Sequence, residues 1–202
     1  MRLRYKPWAQ DKLRSHPEIV IAEPEMMKGR WSAVFPYENP IYLEIGTGKG
    51  KFITEIAKQH PEINFIGLEK QDRVLVSALD KALAEQPLEN VKLVNADANQ
   101  LLDYFAKQEI ERIYLNFSDP WPKNRHEKRR LTHQKYLAMY EKILTEDGEI
   151  HFKTDNRKFF EYSLESFSAY GMRLQNISLH LHEDDDGTSQ GSRIYKCEAK
   201  FK

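Results

Sequence analysis

Ile41-Tyr42-Leu43-Glu44-Ile45-Gly46-Thr47-Gly48-Lys49-Gly50 decides how the rest of the chain is read. A buried apolar strand runs into a glycine turn, and helical spacing starts at about Lys51 and lasts to Gln59. Glycines let a backbone turn tightly and approach a ligand. In doubly wound sheets, ligands sit outside the carboxyl ends of the strands. Downstream the same alternation repeats. Strands are predicted over 63–68, 91–94, 112–117 and 149–153, with helices over about 72–85, 99–107, 132–144 and 157–168. Two last strands, 173–182 and 194–201, have no helix between them. Strands alternating with short helices predict an α/β, Rossmann-like fold, a mostly parallel sheet with helices on both faces. Counted this way the sheet has seven strands and closes on an antiparallel C-terminal strand. Residues 1–40, punctuated by Pro7, Pro17, Pro24, Pro36 and Pro40, read as a basic N-terminal arm with one short helix, and 41–202 as the domain proper.

The composition narrows the function classes. At 202 residues, 40% hydrophobic and 31% charged, the chain suits one globular domain. Its longest apolar runs are strand-length, far below the roughly 20 residues of a membrane span. The basic stretch Met1 to Arg14 lacks the apolar core of a signal peptide. Cys197 is the only cysteine, so an intrachain disulfide and a multi-cysteine metal site are excluded, and a reducing, cytoplasmic setting is expected. His180 and His182 alternate along a strand and, lacking a third ligand, read as half-buried strand residues; no metal is expected. Net charge is zero, with 31 basic and 31 acidic residues, so any nucleic-acid contact must rest on local patches. Arg2, Arg4, Lys6, Lys12 and Arg14 form one patch, and Lys123, Arg125, Lys128, Arg129 and Arg130 the other. The oligomeric state stays open between monomer and homodimer.

The glycine turn departs from the dinucleotide fingerprint G-x-G-x-x-G, because Lys51 stands where the third glycine would be. That argues against a pyrophosphate ligand and against a nicotinamide dehydrogenase. Glu69 ends the second strand, 23 residues after Gly46, where an acid accepts hydrogen bonds from ribose hydroxyls. Asp97 ends the third strand and reads either as an acceptor for an adenine amino group or as a helix N-cap. A strand-end glycine loop with acids after the next two strands resembles class I S-adenosylmethionine-dependent methyltransferases. The fourth strand enters Asn116-Phe117-Ser118-Asp119-Pro120-Trp121-Pro122. Pro120 pushes Asp119 toward an extended conformation, which predicts a carboxylate held at the same edge. The cluster Lys123 to Arg130, His126 included, comes directly after it and suits phosphate positioning. In Thr154-Asp155-Asn156-Arg157, Asp155 or Asn156 reads as a cap for the next helix.

Taken together these residues resemble the bacterial tRNA (guanine-N7-)-methyltransferase family. The similarity covers nearly the whole chain and is carried by Arg2 to Ala9, Glu44 to Gly50, Asn116 to Leu131 and His151 to Arg157. The resemblance implies that Glu44, Gly46, Gly48, Glu69 and Asp97 bind S-adenosylmethionine, and that Asp119 serves both cofactor site and catalysis. It implies that Lys123 and Asp155 contact the substrate guanosine, and Arg125, His126, Lys128, Arg129 and Arg130 the RNA. The implied target is guanine 46 in the tRNA variable loop. One departure stands out. Family members carry a Thr-Glu-Tyr-Glu-like segment before the last strand, whereas here Asp185-Asp186-Gly187 runs straight into Thr188-Ser189-Gln190-Gly191. Two other readings are carried: a methyltransferase acting on another RNA, and a non-catalytic RNA-binding protein on the same fold. Cofactor binding without turnover would mark the second.

Overall fold

The computed structural model describes residues 8–84, 88–181 and 193–202. Its strands are β1 (Val20–Ile21), β2 (Ile41–Ile45), β3 (Asn64–Glu69), β4 (Val91–Asn95), β5 (Ile110–Asn116), β6 (Leu144–Thr154), β7 (Arg173–Leu181) and β8 (Ile194–Lys200). They form one sheet in the order β1-β4-β3-β2-β5-β6-β8-β7. Every pairing is parallel except those of β8 with β6 and β7. The expected architecture holds, with one strand beyond the seven. Val20 and Ile21 pair with Leu93 and Val94 of β4, and two residues are too short to show an alternation in sequence.

The helices are α1 (Ala9–Arg14), α2 (Lys51–Gln59), α3 (Asp72–Leu83), α4 (Leu101–Tyr104), α5 (Gln134–Ile143) and α6 (Arg157–Ala169). Side chains alternate across a strand, so the sheet buries a core on each face. On one face Leu43, Ile45, Ile66, Ile113 and Leu115 meet Tyr140 of α5 and Phe160 of α6. On the other, Phe65, Leu93 and Tyr114 meet Ile53 of α2, Leu75 and Leu79 of α3, and Leu13 of α1. No helix among the described residues is long and apolar enough to cross a membrane.

The described part of the N-terminal segment is fastened into this core. Trp31 is fully buried, its indole Nε1 donates to the Tyr104 carbonyl at 2.9 Å, and its ring stacks on Phe105 at 5.3 Å. The Glu109 carboxylate accepts from the N–H groups of Gly29, Trp31 and Ala106 at 3.0, 3.1 and 2.8 Å. The same contacts explain a shorter helix than the 99–107 expected. Trp31 takes the Tyr104 carbonyl that another helical turn would use, so α4 is one turn after a 3-10 turn at Ala98–Gln100. The Gln108 N–H bonds to the Lys142 carbonyl instead. The fifth predicted strand is longer than read and begins at Leu144, directly after α5. Residues 1–7 with Arg2, Arg4 and Lys6, the loop read over 183–191 with its departure from the family, the side chain of His180, and His182 lie outside the described residues.

Gly50 sets the distance between α2 and α3. Its φ is +76°, and a Cβ there would come 2.5 Å from Ala78 Cβ and 2.7 Å from Ala78 Cα. Overpacking and the left-handed backbone then act together, so Gly50→Ala should cost about 2–4 kcal/mol. A lowered urea midpoint with an unchanged m-value checks it.

Candidate active site

The order of the strands reverses at β2, whose neighbours β3 and β5 lead to opposite edges of the sheet. A crevice at the carboxyl ends of the strands belongs at that switch point. The glycine turn leaves β2 there. Gly46 and Gly48 have φ of +80° and +57°. The N–H groups of Gly46 and Thr47 bond to the Leu68 carbonyl at 2.8 and 3.0 Å, which folds the turn over the end of β3. A Cβ on Gly46 would meet nothing within 4 Å, so its missing side chain leaves open space.

That space is a cavity of about 600 Å³, lined among others by Gly46, Glu69, Asp97, Asp119, Trp121 and Arg129. An adjoining hollow of about 290 Å³, lined among others by Glu44, Thr47, Gly48 and Asn116, shares Gly46 and Phe117 with it among the described residues. The two together collect every residue assigned to the cofactor. Arg129 of the basic cluster reaches the larger one. Lys123, Arg125, His126, Lys128 and Asp155 line neither.

Glu44 is the buried centre of the arrangement. One carboxylate oxygen accepts from Thr47 Oγ1 at 2.5 Å and the other from Asn116 Nδ2 at 3.0 Å. Burial pushes its pKa up to about 7, against the pull of those two hydrogen bonds and with help from the charge on Glu69. Glu69 accepts from the N–H of Gly48 at 3.1 Å and of Gln71 at 2.8 Å, so it fixes the glycine turn and the entry to α3 together. Asp97 does serve as an N-cap, accepting from the Asn99 N–H at 2.9 Å, and its other oxygen pairs with Lys70 at 2.7 Å. Burial raises its pKa, but the bonds from Lys70 and Asn99 outweigh that and leave it lowered. An ionised carboxylate has room for about four hydrogen bonds, so both acids can still accept from a ligand in the cavity.

Asp119 differs from these three. Its carboxylate is exposed, lines the larger cavity and has no hydrogen-bond partner among the described residues. The turn that carries it is strained, with φ of +51° at Phe117 and +43° at Trp121. Such conformations cost on the order of 1–3 kcal/mol each and persist only where the surroundings enforce them. Arg130 does much of the enforcing. Its guanidinium donates to the Pro120 carbonyl at 3.0 Å and the Trp121 carbonyl at 3.1 Å, and lies 4.2 Å over the Tyr162 ring. Arg129 lies 4.9 Å over Trp121, and His126 meets the same ring edge-on at 5.7 Å. The cap of α6 is Asn156, which accepts from the Phe159 N–H at 2.9 Å, and Asp155 is exposed beside it.

Sequence reasoning overlooked Asn116, Thr47 and Phe117. Asn116 carried a signal, a polar side chain ending an otherwise apolar strand. Phe117 carried none, because nothing local marks a left-handed phenylalanine.

The fold is that of class I methyltransferases. A SAM-dependent methyltransferase from Aquifex aeolicus superimposes with a TM-score of 0.60 at 14% identity, over 97% of this chain and 98% of that one. A family model described as "Putative methyltransferase" matches residues 38–202. A tRNA (guanine-N(7)-)-methyltransferase from Geobacillus sp. (strain WCH70) is 57% identical, over all of this chain and 96% of its own length. One from Staphylococcus saprophyticus is 53% identical over the whole of both chains. This chain belongs to the tRNA (guanine-N(7)-)-methyltransferase family. Each of the two alignments spans 212 positions against the 202 residues here, so those relatives carry residues with no counterpart in this chain.

Arg130, expected at the RNA, also holds the turn that carries Asp119. Arg130→Ala removes three charge-assisted hydrogen bonds from the turn, and Arg130→Lys cannot restore their forked geometry. Both variants should lower kcat for methyl transfer by about 10- to 100-fold, with a smaller change in KM for tRNA. A change in KM alone would return Arg130 to the phosphate contacts.

Proposed function

We propose that this protein transfers the methyl group of S-adenosylmethionine to N7 of guanine 46 in the variable loop of tRNA. The observation that carries this reading is the free Asp119 carboxylate, which lines one cavity together with Glu69, Asp97 and Arg129. The names of the relatives agree with it. Position 46 rests on the sequence resemblance.

The residues present suit the cofactor. Glu69 offers acceptors to ribose hydroxyls and Asp97 to an adenine amino group, while the bare Cα of Gly46 leaves open space in the same cavity. Glu44, with a pKa of about 7, is poised to become a full carboxylate beside a cationic amino group. Ser118 Oγ and Asn116 Oδ1 are buried at the edges of the two hollows with no partner among the described residues. Buried polar atoms of that kind favour a polar ligand. S-adenosylmethionine, when bound, supplies a methyl group on a positively charged sulfur, which N7 can take with its lone pair and without prior deprotonation.

Orientation and electrostatics are what the chain itself contributes. Asp119 accepts from the N1 and N2 donors of the guanine and so aims N7 into the cavity. Its negative charge also stabilises the positive charge that arrives on the purine. Lys123 and Asp155 contact the guanosine from outside the hollow. Arg125, His126, Lys128 and Arg129 take the phosphates, with the basic residues before Trp8 adding to them. A tRNA substrate implies a cytoplasmic reaction, and the protein works as a monomer or homodimer.

Methyl transfer from labelled S-adenosylmethionine to a tRNA transcript, with nucleoside analysis, tests the reading. N7-methylguanosine should form on the native transcript and not when guanine 46 is replaced by adenine. Asp119→Asn should lower the rate about 100-fold or more, beyond any loss of cofactor affinity. Equal product on both transcripts would refute the position, and a full rate in Asp119→Asn would refute the role of Asp119.

A further inference from the structure

Phe117 is a large apolar side chain that the fold both strains and exposes. Ile113 and Leu115 of β5 are buried in the core beside α5 and α6, and Tyr114 faces the opposite core. Continued alternation would send Phe117 in with Ile113 and Leu115. Instead the backbone turns left-handed at φ +51° and leaves the ring 43% exposed. The turn is held from both sides. The Phe117 N–H bonds to the Lys153 carbonyl at 2.9 Å, and the preceding Asn116 is tied to Glu44. Strain and exposure of a large aromatic both oppose stability, so the position of this ring calls for a ligand.

Its surroundings say which one. Phe117 lines both hollows, and among the described residues the only other one to do so is Gly46. It therefore stands where the two spaces meet, two residues from the free carboxylate of Asp119. We propose that Phe117 is the platform on which the target guanine stacks while Asp119 holds its edge. An aromatic face suits this base twice over. It stacks on the neutral purine, and it attracts the purine once positive charge has arrived there. Trp121 is less suited, because Arg129 and His126 already occupy its surroundings.

The inference rests on the methyl-transfer reading above. The test measures steady-state methylation of tRNA, S-adenosylmethionine affinity and thermal unfolding for the native protein, Phe117→Leu, Phe117→Gly and Phe117→Tyr. Leucine keeps apolar bulk without a ring face, and glycine adopts the positive φ without strain. Both should lower kcat/KM for tRNA by about 5- to 100-fold with cofactor affinity unchanged, and tyrosine should rescue most of the loss. Phe117→Gly should unfold no lower than the native protein. A native rate in Phe117→Leu overturns the proposal and spares the methyl-transfer reading. Cofactor affinity falling with the rate would assign the ring to the cofactor instead. A drop in unfolding temperature that tracks the rate would make the ring structural. No methylation by the native protein would overturn the inference and the reading beneath it together.

Discussion

The carboxyl group of Glu44 holds together two parts of the molecule that come from different places in the chain. It belongs to the penultimate residue of β2 and is buried where the strand order reverses. Thr47 of the glycine turn donates to one oxygen and Asn116, the last residue of β5, to the other. Through Thr47 it fixes the turn that opens the cavity. Through Asn116 it fixes the point where the chain leaves β5 for the strained turn bearing Asp119. A buried carboxyl that lost either donor would face the desolvation penalty with half its compensation. The glycine turn and the turn bearing Asp119 are thus coupled by one short polar link.

Beyond Asn116 the chain is kept tense from both ends. Two non-glycine residues in the left-handed region cost on the order of 2–6 kcal/mol together. Opposing this are the grip of Arg130 on the Pro120 and Trp121 carbonyls and the anchoring of Leu131 and Thr132. Tyr140 OH donates to the Leu131 carbonyl at 2.9 Å, Thr132 Oγ1 hydrogen-bonds with Ser163 Oγ at 2.8 Å, and Ser166 Oγ donates to the Thr132 carbonyl at 2.6 Å. The basic cluster is thereby a rigid bracket between two fixed points. Rigidity suits the chemistry, because a methyl transfer gains more from alignment than from proton handling.

Much of this architecture was legible in the sequence for physical reasons. Apolar alternation of strand and helix dictates the parallel sheet, and the glycines after Ile45 mark its switch point. Glu69 and Asp97 could be placed because strand ends are where acids meet ligands in such sheets. The features that escaped notice depended on contacts between distant residues. The burial of Trp31 needs Tyr104 and Phe105, more than seventy positions away. The inward commitment of Arg130 cannot be seen in a basic run where each cation looks alike. The exposure of Phe117 arises from a backbone angle that no neighbouring glycine announces.

The most direct test of the account is the pH dependence of stability in the native protein and in Glu44→Gln. The folded-state pKa of Glu44 is raised, to about 7, so the folded protein keeps a proton that the unfolded chain releases. The contribution of this group to stability is therefore most favourable at acid pH. It falls as pH rises through the window from about 4.5 to about 7 and is level above it. Glutamine is neutral throughout. Unfolding measured at pH 5 and pH 8 should show the variant gaining on the native protein by on the order of 3 kcal/mol at the higher pH. A difference between the two proteins that does not change with pH would mean that the fold does not hold a proton on Glu44, and the account of Glu44 as the desolvated centre of the site would have to be abandoned.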